Sequence, residues 1–195
     1  MDSPALILAS TSPYRRALLE RFGFLFETVD PGADETPLPG ESPTALAMRL
    51  ALAKAQAVAA TYQQSVIIGA DQVACLPTGE ILGKPGTHER AAEQLMHMSG
   101  MTVQFLTAVS VVCHASSFQK SDMVRTRVTM RSLNVAEIDR YLQYEQPYDC
   151  AGSAKSEGLG ITLMESIQSD DPTALIGLPL IATARLLREC GLELP

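Results

Sequence analysis

Arg15 and Arg16 follow the run Ser10-Thr11-Ser12-Pro13, and their placement is the first chemical signal in this chain. Leu6 to Ala9 is apolar throughout and reads as a short buried strand; the apolar spacing after Pro13 reads as a helix. Ser12 is a natural N-cap and Pro13 suits the first helical position. Positive side chains in that first turn are unfavourable, because the unpaired N–H groups and the helix dipole already carry positive partial charge. An anion docked there would remove the conflict. The segment is therefore either a phosphate site or a surface helix with two solvated arginines.

Asp71 is the second signal. It stands in Val66–Leu76, a nearly uncharged strand, where desolvating an unpaired carboxylate is costly. Either cations or N–H donors satisfy it, or it faces an open site as a metal ligand or general base. Gly79-Glu80-Ile81-Leu82-Gly83-Lys84-Pro85 resembles a P-loop superficially and fails the comparison. Three residues separate its glycines, and Pro85 stands where a magnesium-binding hydroxyl is needed. Lys84 is then either a mobile phosphate contact or a solvated side chain. Asp34 and Glu35, in a turn-rich loop, are a solvated pair or carboxylates for a magnesium ion. Lys54 borders the stripe Leu46, Leu50, Ala57 and either snorkels outward or reaches into a cleft. The glycine- and serine-rich loop Cys150–Gly160, which holds Lys155 and Glu157, suits close backbone approach to a ligand, or is a flexible surface loop.

Helical and strand patterns alternate around these residues, which predicts an α/β fold. Helices are expected over Pro13–Phe22, from Ser42-Pro43 to about Thr61, from Thr87 to near Gly100, from Asn134 to about Glu145, and over Pro179–Cys190. Asn134 with Glu137 forms a capping-box pattern. Strands are expected at Phe24–Val29, Val66–Leu76, Ile81-Leu82, Val103–His114, Met123–Leu133 and Gly160–Ile167. The 195 residues suit one domain, 1–195, with no repeat or long linker.

A net charge of −7 argues against binding a nucleic-acid polymer or an anionic membrane, and leaves room for a small phosphorylated ligand. The chain opens without a signal-peptide pattern and contains no run long enough to span a bilayer; a cytoplasmic location is expected. Cys75, Cys113, Cys150 and Cys190 form no C-x-x-C pair, and the three histidines share no ligand spacing. Reduced thiols are expected and zinc is not.

Ser10-Thr11-Ser12-Pro13-Tyr14-Arg15-Arg16, Asp34-Glu35-Thr36-Pro37, Gly69-Ala70-Asp71-Gln72, Gly83-Lys84-Pro85 and Lys155-Ser156-Glu157-Gly158 together resemble the Maf family of nucleotide pyrophosphatases. The resemblance implies a mixed twisted sheet flanked by helices, with a central cleft between two lobes. It implies hydrolysis of a nucleoside triphosphate to the monophosphate and pyrophosphate with a divalent cation, Mg2+ or Mn2+. Asp71 would then accept the proton from the attacking water, Glu35 with Asp71 would hold the metal, and Ser10, Arg15, Lys54 and Lys84 would bind the triphosphate. A homodimer is also implied.

Tyr14, Gln72 and Glu157 are the positions that separate branches of the family. Gln72 with Glu157 resembles the branch acting on 7-methyl-GTP rather than the one acting on dTTP and UTP. Tyr14 stands where that branch often has Trp, and Ala53 where many relatives have Glu. The N7-methylated guanine is cationic and suits an aromatic face, while Glu157 would accept from its N1–H and amino group. Such an activity would clear modified nucleotides. The alternatives are a dTTP/UTP pyrophosphatase of the same family and, since the family is associated with arrest of septum formation, a non-catalytic nucleotide sensor.

Overall fold

Residues 5–194 are described by a computed structural model. In chain order the elements are β1 (Leu6–Ala9), α1 (Pro13–Leu19), β2 (Phe26–Val29), α2 (Pro43–Ala59), β3 (Val66–Cys75), β4 (Ile81–Leu82), α3 (His88–Met98), β5 (Thr102–Cys113), β6 (Phe118–Met130), α4 (Val135–Glu145), β7 (Met164–Gln168) and α5 (Leu180–Glu189). The hydrogen-bonded strand order is β2-β1-β3-β5-β6-β7, with β4 beside β3. β1 pairs in parallel with β2 and β3, whereas β3–β4 and β6–β7 are antiparallel. The α/β expectation holds, with a mixed sheet flanked by helices.

The expected caps form. The Ser12, Ser42 and Thr87 hydroxyls accept the N–H groups of Arg15, Ala45 and Arg90 at 3.4, 3.2 and 3.3 Å. Asn134 and Glu137 exchange reciprocal bonds at 3.0 and 3.1 Å, which completes the capping box. Some boundaries differ from the sequence pattern. The first helix tightens into a 3₁₀ turn over Glu20–Phe22 and closes on Gly23 at φ 72°. Leu25 is exposed, and β2 begins only at Phe26. The turn His114–Ser117 sends the chain straight back into β6, which therefore starts at Phe118 rather than Met123. Gly160 does not open a strand: Leu159–Leu163 is a 3₁₀ turn in which the Thr162 hydroxyl donates to the Leu159 carbonyl at 2.7 Å.

Contacts gather in two compact units. The first comprises the described residues through Asp71, Thr107–Val124, and the described residues from Asp171 onward; the second comprises Gln72–Leu106 and Arg125–Asp170.

In the first unit, strand alternation sorts the core. Leu6 and Leu8 of β1 and Val66, Ile68 and Ala70 of β3 pack with Leu18 and Leu19 of α1 and Leu186 and Leu187 of α5. Ile7, Ala9 and Ile67 pack instead with Ala55, Val58 and Ala59 of α2. Ile7, Leu8, Ile67 and Ile68 are almost wholly buried, each contributing roughly 1.5–3 kcal/mol of transfer free energy. Because β1 lies between β2 and β3, α1 and α2 cover opposite faces. The β1/β3 boundary is thus a topological switch point, where open α/β sheets bind ligands beyond the strand carboxyl ends.

In the second unit α3 packs against α4, with Leu95, Met98, Ile138 and Leu142 buried. The turn Ala151–Ser153 needs its glycine. Gly152 has φ +74°, and a Cβ there would meet the Phe105 ring at 3.2 Å. Among the described residues, no helix is long and apolar enough to cross a membrane.

Candidate active site

The site is built in the first unit, just past the carboxyl end of β1, where its pairing with β3 stops and β3 continues. Ala9 is in register with Gly69. Two residues beyond Gly69, alternation turns Asp71 to the same face as Ile67 and Gly69, toward α2. Gly69 makes that approach possible. A Cβ there would collide with the Ala51 carbonyl oxygen and lie 2.6 Å from the Ala55 nitrogen, so the α2 backbone rests directly on the strand. Lys54 is carried on this part of α2. Its Nζ donates to Asp71 Oδ1 at 2.6 Å and meets Glu35 Oε1 at 2.5 Å. Lys54 and Asp71 are both buried; the Lys54 side chain therefore reaches inward rather than snorkelling.

Burial pushes the Asp71 carboxyl above the ordinary aspartate range, against the pull of Lys54 and Arg15; Glu35 pushes it further up. Arg15 is half-buried and its Nε donates to the Gly177 carbonyl at 3.0 Å. Burial lowers its pKa, while the charges of Asp71 and Glu35 raise it. Arg15 therefore shares one electrostatic neighbourhood with both carboxylates. Arg16 is different: it is exposed and pairs with Glu20 at 3.1 Å, the solvated alternative. Ser10 is buried, and its Oγ accepts the Ser12 N–H at 3.1 Å, which shapes the chain between β1 and α1. Tyr14 is half-buried in the first turn of α1.

Arg49 is a residue the sequence reading missed. Its Nε and Nη2 donate to the two Glu41 carboxylate oxygens at 2.6 and 2.8 Å. Nη2 also donates to the Thr36 carbonyl at 3.1 Å, and Glu41 accepts the Leu38 N–H at 3.1 Å. Asp34 accepts the Thr36 N–H at 2.9 Å. This fork pins the loop that presents Glu35. It holds Glu41 down to about 2, and Arg49 adds positive potential at Asp71. The available sequence signal was Glu41 eight residues before an arginine on the same helix–loop unit; nothing in periodicity marks it as a clamp.

The structure brings Arg15, Glu35, Lys54 and Asp71 into one electrostatic cluster, and Ser10 follows β1 directly after Ala9, which is in register with Gly69. Gln72, Lys84 and Glu157 belong to the second unit. Gln72 is half-buried beside Asp71 in β3 and faces the other side of the strand, while Lys84 and Glu157 are exposed. The loop of Lys84 is held by Gln94, whose Nε2 donates to the Gly83 carbonyl at 3.0 Å. The cysteines are free. Burial pushes the Cys150 and Cys190 thiols up to about 12 and about 11, which leaves them poor nucleophiles.

Among the described residues, no group of three or more His, Cys, Asp or Glu side chains is arranged to hold a metal ion. Asp71 and Glu35 do offer two hard oxygen donors, already bridged by the Lys54 ammonium. That donor set fits a Mg2+ or Mn2+ ion that keeps its waters and takes further ligands from substrate phosphates.

Fold and site together define an α/β protein that sets cations around a buried carboxylate at a sheet switch point, an arrangement suited to polyphosphates. The chain belongs to the Maf family: the family model described as "Maf-like protein" matches residues 5–190. A Polaromonas sp. protein named 7-methyl-GTP pyrophosphatase is 60% identical over 192 residues, covering 98% of this chain and 87% of its own length. One of the same name from Xanthomonas axonopodis pv. citri is 58% identical over 192 residues, covering 98% of this chain and 100% of its own. Another, from Aromatoleum aromaticum, is 57% identical over 190 residues, 97% of each chain.

Proposed function

We propose that this protein hydrolyses 7-methyl-GTP to 7-methyl-GMP and pyrophosphate. The observation that carries the reading is the buried Asp71–Lys54–Glu35 cluster with Arg15 beside it, in a chain whose relatives bear that activity in their names. Burial makes Asp71 more basic than an ordinary aspartate, which suits it to take a proton from water attacking the α-phosphorus. Lys54 holds Oδ1, orienting the carboxylate so that Oδ2 meets that proton. Arg15 and Lys54 offset the charge that develops on the phosphate oxygens and the departing pyrophosphate. Lys84, in the second unit, is a further phosphate contact, and Ser10 shapes the turn that the phosphates approach. A divalent cation held by Glu35 and Asp71 would supply charge neutralisation on the phosphates.

Base choice is assigned to Tyr14, Gln72 and Glu157. A cation over an aromatic face gains about 0.5–2 kcal/mol, and the exposed Glu157 carboxylate accepts guanine N–H groups and favours a cationic ring over a neutral one. The whole chain, 1–195, acts as one domain in the cytoplasm, where its nucleotide substrate is found, and as a homodimer. Turnover of 7-methyl-GTP, GTP, dTTP and UTP with product analysis tests the reading. It predicts the highest kcat/KM for 7-methyl-GTP, pyrophosphate as the co-product, and almost no turnover in Asp71→Asn. Release of orthophosphate, or a pyrimidine preference, overturns it.

A further inference from the structure

Glu157 is exposed, yet the loop that carries it is fastened at several points. Tyr141 and Glu145 lie one helical turn apart near the end of α4 and so share a face. The Tyr141 hydroxyl oxygen accepts the backbone N–H of Lys155 at 3.1 Å. Glu145 Oε1 stands 3.7 Å from Lys155 Nζ, and both side chains are largely buried. Glu145 Oε2 accepts the Leu159 N–H at 2.8 Å. Between these anchors the chain turns, with the Gly158 N–H donating to the Lys155 carbonyl at 3.2 Å. Gly158 leaves room for the clamp, because a Cβ there would lie 2.6 Å from Glu145 Oε2. The Ser156 hydroxyl then donates to Glu157 at 3.4 Å.

We propose that Glu145 is a specificity-determining positioning residue: it grips both ends of the Lys155–Leu159 turn and so presets the Glu157 carboxylate that reads the base. A carboxylate on a tethered turn meets the base edge without first ordering a loop, and that saving appears as affinity for the matching base. Glu145 is engaged with the turn itself, so it acts on the base through Glu157. Its removal therefore raises KM for guanine substrates and leaves kcat and pyrimidine turnover alone. The inference rests on the assignment of Glu157 to base recognition.

The test is a double-mutant cycle on the full chain, with Glu145→Ala, Glu157→Gln and the pair, measuring kcat and KM for 7-methyl-GTP and UTP. Glu145→Ala should raise KM for 7-methyl-GTP about tenfold, the scale of one weakened hydrogen bond to a charged group. Its kcat, and kcat/KM for UTP, should stay within about twofold of the unaltered protein. The pair should discriminate no worse than Glu157→Gln alone, because Glu145 acts only through that carboxylate. Gly158→Ala, which displaces the Glu145 carboxylate and leaves α4 intact, should reproduce Glu145→Ala and serves where the latter does not fold. Equal loss on both nucleotides, unchanged discrimination, or additive losses in the pair would overturn the proposal. If the unaltered protein shows no preference for 7-methyl-GTP, the assigned substrate fails on its own. Amide exchange over residues 155–159 then decides on the clamp: faster exchange in Glu145→Ala supports it and unchanged exchange overturns it.

Discussion

Gly69→Ala probes the spacing on which the site depends. The added Cβ would overlap the Ala51 carbonyl oxygen and lie 2.6 Å from the Ala55 nitrogen and 2.9 Å from Ala55 Cβ. None of these belongs to the far end of a flexible side chain, so α2 itself must yield. Comfortable separations are about 3.5–4.0 Å, which requires a retreat of roughly 1 Å. Moving Lys54 by that amount stretches its 2.6 Å bond to Asp71 to about 3.6 Å, beyond hydrogen-bonding range. Overpacking of this kind costs about 1–3 kcal/mol of stability, and a 1 Å misplacement at a reacting group costs about 100-fold in rate. Urea denaturation should show the lower midpoint, and kcat at saturating nucleotide and metal should fall about 100-fold in protein that is still folded. A folded variant with the original kcat would refute the idea that close packing of α2 sets the Lys54–Asp71 geometry.

In metal-free protein, Asp71→Asn should be at least as stable as the unaltered chain at neutral pH. Burial raises the folded pKa of Asp71, so its contribution is fully present below the unfolded value and is lost as pH rises through the folded one. The stability gap between the two proteins should therefore close on acidification, which denaturation at several pH values checks. Arg49→Ala should loosen the loop of Glu35; Mn2+ binding followed by electron paramagnetic resonance should weaken about tenfold. The Glu41 carboxyl, titrated by NMR, should rise from about 2 toward 4.5 in that variant. Removal of divalent metal with a chelator should abolish turnover, with Mg2+ or Mn2+ restoring it, and Glu35→Gln should need more metal for the same rate.

Local rules carried much of the architecture. Ser12, Ser42, Thr87 and the Asn134–Glu137 pair start helices as their residue types require, and the apolar runs at Leu6 and Val66 are buried strands. Boundaries failed where the decisive partner was distant or the turn chemistry was unrecognised. The polar start of β6 shows no strand alternation of its own, and the Thr162–Leu159 bond that keeps 159–163 out of the sheet is invisible to periodicity. At the site, the types of Asp71, Glu35 and Arg15 raised the right question, but their convergence depends on the parallel register of β1 with β3. Lys54 illustrates the limit. Beside an apolar stripe, a lysine ordinarily reaches outward, and only the proximity of Asp71 across α2 and β3 turns it in. Arg49 carries no sequence signal of its role, because its partners are a loop carbonyl and a glutamate with no helical spacing to it.

The composition of the cluster follows from conflicting demands on one carboxylate. A strand position as buried as that of Asp71 favours an apolar side chain, and an isolated charge there would protonate. Full neutralisation by a tightly held arginine fork would depress the pKa and leave a poor base. Lys54 is an intermediate solution. A single ammonium on Oδ1, shared with Glu35, offsets part of the burial cost, and burial, with a smaller push from the Glu35 charge, keeps the carboxyl above the ordinary range. The same ammonium keeps two like charges close together, an arrangement that would otherwise repel and that a hard cation can exploit. Removing Lys54 would leave Asp71 buried without its ammonium, which typically costs about 3–5 kcal/mol, whereas Asp71→Asn leaves Lys54 paired with Glu35; the lysine thus stabilises the fold around a residue that burial disfavours. One lysine on a tightly seated helix thus offsets the burial of Asp71 and holds Glu35 beside it, and Gly69, with no side chain of its own, lets that helix seat.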